Sequence, residues 1–376
     1  GGSLTNTAYL MSVAMGKPLE PGTYYIGLYN TSASATMTSC TLTSRGVGDG
    51  LWYAPASVAF DGGAAATNLA PRHVAYFSVD IPSNQPSWKV WLECTSGEAA
   101  LLIRKDWVPT YGNTSYAYSP PFDGYTVDLR HSGDERYILT PKSGSSTIPA
   151  GRYYLLAVSQ GQNHSAPRIG TGISGLVLHS LSNAPVTGLG ALPLAGSLEQ
   201  AGSYAGGDNN VYTFTVPVGV LALEARLLDR VGSPKMAILT NGFWPRMRNS
   251  VAGDTGNMVY GMYAESPSHF SDSALVTAAN PLAGTYSLRV ADLSSVNPSN
   301  GSYKVRIETV GAAPIPFDGA SVTATSLAPY NWRYYAVDVP GTNNGQPVLG
   351  WELRVSDWAG ATPTMVVRRG SLPSGT

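Results

Sequence analysis

Histidine is the side chain best suited to moving a proton near neutral pH, and the five here, His73, His131, His164, His179 and His269, occupy no common position across the sequence repeats. The sequence holds no His-Glu-x-x-His for zinc, no Gly-x-Ser-x-Gly nucleophile turn and no Walker phosphate loop. Gly170-Thr171-Gly172-Ile173-Ser174-Gly175 has the spacing of a dinucleotide loop. It lacks the following helix that would set an N-terminus on a pyrophosphate, so it reads as a turn. Asp254-Thr255-Gly256 has the form of an aspartic-protease triplet, but that chemistry needs a second carboxylate copy and none occurs. The chain reads as non-enzymatic.

Binding chemistry leaves more candidates. Aromatic residues cluster in loop-like stretches, at Trp52-Tyr53, Trp107, Tyr111, Tyr116, Tyr118 and Phe243-Trp244. Such rings can stack on sugars or dock another module, because a large apolar face carries a polar edge. Trp107, Tyr111 and Trp244 are the candidate ligand-binding residues. Asp61 and Asp318 each stand in a Phe-Asp-Gly triplet and are the candidates for a hard cation, against the simpler reading as the Asp of an Asp-Gly turn. Cys40 and Cys94 have no Cys-x-x-Cys partner for a metal, and they are the pair open to a disulfide across a module junction.

These residues sit in a chain of 376 with only 12% charged residues, well under the usual quarter, and with 42 Gly and 27 Pro. At 43% hydrophobic with 22 Tyr it is too apolar for disorder. Balanced charge, 23 basic against 24 acidic, offers no basic run to neutralise phosphates, so nucleic acid is not an expected partner. No stretch is long and apolar enough to span a membrane, and the first residues lack the regions of a signal peptide, so the chain is expected to be processed or part of something longer.

An internal repeat organises the whole. Gly22-Thr23-Tyr24-Tyr25-Ile26, Gly151-Arg152-Tyr153-Tyr154-Leu155 and Gly284-Thr285-Tyr286-Ser287-Leu288 recur with a period of roughly 130 residues. A second trio of aromatic strands ends at Pro82, Pro217 and Pro340, where proline withholds its ladder donor. A third runs Trp88–Gly97, Leu223–Gly232 and Trp351–Gly360, its last two copies sharing Glu224/Glu352, Arg226/Arg354 and Asp229/Asp357. A fourth begins at Leu101, Met236 and Met365. Period-two alternation between Gly, Pro and Asn clusters, with almost no helical periodicity, predicts all-β, tandem jelly-roll-like antiparallel sandwiches. Complete modules are expected at 55–185 and 187–312, with the closing half of a module at 1–50 and the opening half at 314–376.

Gly22 to Ile26 and Met365-Val366-Val367-Arg368-Arg369-Gly370-Ser371-Leu372-Pro373-Ser374 resemble the two signature stretches of bacterial pre-peptidase C-terminal (PPC) domains. The likeness is strongest at 1–30 and 314–376 and weakest at 187–312. It implies β-sandwich modules appended to secreted proteases and large surface proteins. Members commonly carry an acidic pair before the fourth strand, tied to calcium in some relatives. Thr362-Pro363-Thr364, Gly232-Ser233-Pro234-Lys235 and Gly97-Glu98-Ala99 stand there instead. No cofactor is expected, and no calcium site is carried over, since that ion wants several carboxylate oxygens.

A half sandwich exposes unpaired strand edges and an open apolar face. The opening and closing halves are complementary, which predicts head-to-tail self-association or completion by neighbouring repeats of a longer chain. The expected role is an extracellular or cell-surface structural or adhesive protein, as in a filament or surface layer. The alternative is a polysaccharide- or protein-binding accessory module of a secreted hydrolase.

Overall fold

The computed structural model describes residues 19–30, 32–109, 111, 126–130, 133–141, 145–161, 172–240, 275–291, 300–327 and 331–373. They are all-β, and they divide into a first compact unit up to Ala184 and a second made of most residues from Pro185 onward.

In the first unit β1 (Ala56–Ser57), β2 (Gly63–Leu69), β3 (Val74–Ile81), β4 (Trp88–Ser96), β5 (Glu98–Lys105), β6 (Val127–Leu129), β7 (Glu135–Leu139), β8 (Gly151–Gly161) and β9 (Ser174–Leu181) form two sheets. Their orders are β1-β3-β8-β5-β6 and β2-β9-β4-β7. The second unit uses β10 (Val186–Ala191), β11 (Ser197–Tyr204), β12 (Asn209–Val216), β13 (Ala222–Val231), β14 (Lys235–Thr240), β15 (Leu275–Ala279), β16 (Gly284–Ala291) and β17 (Gly301–Val310). Its sheets run β10-β12-β16-β14 and β11-β17-β13-β15, so apart from the edge strand β6, which has no counterpart among the described residues, the connectivity is that of the first unit.

Alternation explains the layers. Phe77, Val79, Leu101, Ile103, Tyr153 and Leu155 from one sheet meet Trp88, Val90, Leu92, Leu176 and Leu178 from the other in a single buried cluster. Phe214, Ile238, Tyr286 and Leu288 meet Leu223, Val305 and Ile307 likewise in the second unit. Trp88 shows how tightly the first core is specified: its indole Nε1 donates to Ser180 Oγ at 2.9 Å, and its ring lies 5.4 Å from that of Tyr153. The outer face of β3, β8 and β5 is covered as well. Tyr76, Leu102 and Leu156 pack there under Tyr111, with Val47 and Tyr53 against them. This double burial accounts for the unbroken apolar runs of β5 and β8, where a sheet with one wet face would alternate.

Each first strand pairs parallel with the proline-ended strand at one equivalent residue: Ala56 with Phe77, and Thr187 with Tyr212. The same pair forms a third time, Ala313 with Tyr335, between β18 (Ala312–Pro314) and β19 (Tyr334–Ala336). The closing residue of the third sequence trio takes a left-handed conformation in every copy, φ 67° at Gly97, 77° at Gly232 and 87° at Gly360. In the two units that glycine lets the chain leave one sheet for the other within a few residues.

Beyond β19, apart from the short hairpin of β20 (Thr342–Asn343) and β21 (Gln346–Pro347), residues up to 373 form no strand. The described residues between 19 and 46 form none either.

Candidate functional site

The Gly-x-Tyr strands make the comparison that defines the site. In β8 the Tyr153 hydroxyl donates to the Pro149 carbonyl at 2.9 Å, and in β16 that of Tyr286 donates to Leu282 at 2.8 Å. Tyr24 makes the same bond, four residues back, to Glu20 at 2.6 Å. The local turn entering the strand is therefore written into all three sequences. Burial of the strand itself is not shared. Tyr153, Leu155 and Ala157 are fully buried, and Tyr286, Leu288 and Val290 are at most 2% exposed, whereas Tyr24, Ile26 and Leu28 are 46%, 65% and 59% exposed.

The C-terminal segment repeats the pattern. Trp88, Val90 and Leu92 of β4 are completely buried, and their counterparts Trp351, Leu353 and Val355 are 38% to 42% exposed. Leu101 and Ile103 of β5 are buried, while Met365 and Val367 are exposed. The charge pairing is kept as well: Arg226 pairs with the buried Glu224 in β13, and Arg354 Nη2 donates to the exposed Glu352 at 2.7 Å. Each apolar side chain left in water forgoes about 1.5–3 kcal/mol of burial. Two segments with the residue pattern of sandwich-interior strands thus present those residues to solvent.

The aromatic candidates occupy unlike environments. Tyr111 is buried, its hydroxyl accepts from Arg72, and the guanidinium of Arg130 lies 4.9 Å from its ring centre; it is a packing residue under the outer face of the first sheet, which corrects its reading as a ligand contact. Trp107 is half-buried with Arg104 4.5 Å over its ring. Trp52 is exposed with Arg45 4.9 Å over its ring, while Tyr53 packs on Tyr76. Trp244, Phe243, Tyr116, Tyr118, His131, His164, His269 and the triplet at Asp254 lie outside the described residues.

Sequence reading passed over Trp91. It stacks on His179 at 4.5 Å with 10° between planes, and His179 Nε2 lies 2.9 Å from Glu93 Oε2. Period two within Trp88–Gly97 was the available signal, because Trp88, Val90 and Leu92 facing inward oblige Lys89, Trp91 and Glu93 to face out.

The two aspartates hold turns. Asp61 Oδ1 accepts from the backbone N–H and hydroxyl of Ser182, at 3.1 and 2.7 Å, and these bonds hold its carboxyl below the usual range. Asp318 Oδ2 accepts from Asn343 at 3.2 Å. No group of three or more metal-ligating side chains occurs among the described residues.

Cys40 and Cys94 are free thiols, not a disulfide. Cys40 is exposed, and Cys94 packs against the first core, its backbone N–H held by Asp134 at 3.0 Å. Burial first, and then the carboxylates of Glu135, Glu98 and Asp134, push the Cys94 thiol up to about 12, which keeps it protonated and unreactive at neutral pH. No helix among the described residues is long and apolar enough to cross a membrane.

No family model and no curated protein matches the chain. Among solved structures it is similar to a protein of Eubacterium rectale assigned as secreted, with 7% identity, a TM-score of 0.17 and coverage of 65% of this chain and 73% of that one. It is similar also to the tandem CBM51 modules of a family 98 glycoside hydrolase from Streptococcus pneumoniae, with 9% identity, a TM-score of 0.16 and coverage of 65% and 84%. At such scores neither likeness carries any weight for what this chain does.

Proposed function

We propose that the chain is a non-enzymatic, extracellular structural protein of PPC-type sandwich modules whose work is assembly. The terminal strand sets are finished by complementary strands from a neighbouring repeat unit, which joins units into a filament or surface array. One observation carries this reading: positions that are buried in both complete units, such as Leu155 and Leu288, are open to water at Ile26 in a segment of matching sequence. Added strands supply both the missing ladder bonds and the missing apolar face, the mode by which exposed sheet edges recruit extended segments.

Sedimentation velocity over a micromolar concentration series tests it. The expected result is species growing beyond the 39.5 kDa of one chain, with deletion of 19–46 or of 331–373 returning the protein to a folded monomer. A 39.5 kDa species at every concentration overturns the reading.

A second reading, polysaccharide binding, rests on Trp52 and Trp107, whose rings each carry an arginine over one face. Saturable retention on an insoluble polysaccharide, lost in Trp52→Ala or Trp107→Ala, would favour it.

A further inference from the structure

The loop between β15 and β16, Asn280-Pro281-Leu282-Ala283, is fastened on both sides. The Asn280 backbone N–H donates to the Leu221 carbonyl at 2.7 Å, and the Tyr286 hydroxyl donates to the Leu282 carbonyl at 2.8 Å. Asn280 itself sits in the left-handed region, at φ 53°, which asparagine tolerates better than most residues. Its carboxamide is therefore carried on a fixed backbone at one end of the second sandwich.

That carboxamide meets the backbone of a single residue far along the chain. Nδ2 donates to the Leu372 carbonyl at 2.9 Å, and Oδ1 accepts from the Leu372 N–H at 3.0 Å. Both residues belong to the second unit. A residue offers its own N–H and C=O to one partner when its backbone is extended, as in the hydrogen-bonded pair of an antiparallel ladder. Pro373 favours that conformation, because its ring crowds the residue ahead of it out of the helical region. The side-chain amide, with a donor and an acceptor side by side, then takes the place of a facing strand.

The fold does not demand asparagine there. After the equivalent strand of the first unit, Thr140-Pro141 stands where the second has Asn280-Pro281, and a hydroxyl cannot present a planar donor and acceptor pair. Neither 280–283 nor 370–373 holds a charged residue, so ion pairing plays no part in the contact.

We infer that Asn280 is a backbone-reading clamp, a binding site for an extended residue lying ahead of a proline, and that its occupant is Leu372-Pro373 of the same chain. The clamp ties the segment 331–373 to the second unit. Two exposed hydrogen bonds gain little over water on their own. A tethered occupant, however, returns to its site at an effective concentration of roughly millimolar, which a free peptide would have to be supplied at. The clamp reads backbone, so the side chain at 372 is immaterial while the proline after it is not. It acts within one chain and holds whether or not chains associate.

Hydrogen–deuterium exchange of the full 376-residue chain, read by mass spectrometry at the Leu372 amide and corrected for intrinsic rates, tests it. Asn280→Gly removes the carboxamide and accepts the left-handed backbone without strain, and it should speed exchange at Leu372 by about fivefold or more. Leu372→Ala should leave that rate within about twofold, since both backbone bonds remain. Pro373→Ala leaves the 280–283 loop untouched and should also speed exchange, because residue 372 is then free to leave the extended region. Exchange in β13 and β16 reports whether the second unit stays intact.

Unchanged exchange at Leu372 in Asn280→Gly overturns the clamp. Equal acceleration by Leu372→Ala and Asn280→Gly overturns backbone reading in favour of side-chain packing. An effect of Asn280→Gly that spreads into β13 and β16 with no effect of Pro373→Ala makes Asn280 a brace of its own loop and overturns the site. No effect of Pro373→Ala alone overturns the requirement for proline.

Discussion

β8 and the segment after Gly22 carry nearly the same strand and the same tyrosine hydrogen bond, yet one is a core strand and the other lies in water. The difference lies in the neighbours. β8 is flanked by β3 and β5 and covered by β4 and β9, and every inward side chain finds a partner. The segment at 22–29 has the inward pattern and no flanking strand among the described residues. A strand's alternation thus decides which side chains would be buried, while the sheet around it decides whether they are. This is why β propensity measures fit to a surface more than a backbone preference.

The sharpest way to break the comparison is to truncate matched tryptophans. Trp88→Ala removes a fully buried ring with its bond to Ser180, and should cost the first unit about 3–5 kcal/mol in urea unfolding followed by circular dichroism. Trp351→Ala in dilute protein should change stability by under about 0.5 kcal/mol, as expected of a side chain outside any core. It should instead weaken self-association. Equal costs at high dilution would mean that Trp351 is already buried within the single chain.

Glycines sharpen the contrast further. A Cβ at Gly301 would collide with the Tyr204 ring, and one at Gly202 would sit 2.7 Å from Tyr303, in a cluster where the Tyr212 and Tyr303 hydroxyls meet at 2.8 Å. Burial of that cluster also raises the Tyr303 hydroxyl pKa. Gly301→Ala should cost roughly 1–3 kcal/mol of overpacking. Gly27 has nothing within 4 Å of its would-be Cβ, so Gly27→Ala should leave the thermal midpoint of the dilute chain unmoved. A large loss there would mean that 22–29 is already packed.

Much of the fold was legible because its rules are local. Alternation in Leu223 to Leu227 and the stop at Pro217 need only neighbouring residues to be read, and both fall on the strands expected of them. The all-β sandwich follows from such stretches. The double cover over Leu102 and Leu156 was not legible, because it depends on Tyr53 and Tyr111 arriving from distant segments. For the same reason Tyr111 looked like a loop aromatic and proved to be a packing residue. Asp61 could be read as a turn residue from Asp-Gly alone, but its partner Ser182 is distant in the chain and no local pattern points to it. Trp91 was missed although its outward position follows from Trp88, since its stacking partner His179 comes from β9.

A smaller effect separates the three tyrosines. Tyr153→Phe and Tyr286→Phe each lose one hydrogen bond to a carbonyl, worth about 0.5–1.5 kcal/mol. Tyr24→Phe loses the same bond at an exposed site where water replaces it, and should be silent in the dilute chain. If Tyr24→Phe weakens assembly, the turn is preformed for insertion; if assembly is untouched, the turn contributes nothing to docking.

The smallest expected effect distinguishes the two complete units from each other. Asp80 and Arg152 face each other across β3 and β8, joined by two bonds of 2.8 and 2.7 Å, at the place where the second unit has Thr215 opposite Thr285. The Arg152 guanidinium holds the Asp80 carboxyl below the usual carboxylate range. A lowered folded-state value stabilises above the unfolded pKa, near about 3.9, and the gain disappears as pH falls through the folded value. Both side chains are about half exposed, so screening limits the pair to about 0.2–1 kcal/mol. Asp80→Asn should therefore lower the stability of the first unit slightly at pH 7, and the gap should close toward pH 2 and narrow in high salt. Thr215→Ala should show no such pH dependence. A gap for Asp80→Asn that persists at pH 2 would assign its cost to packing in the β3–β8 pair, and the contrast between the units would then not be one of charge.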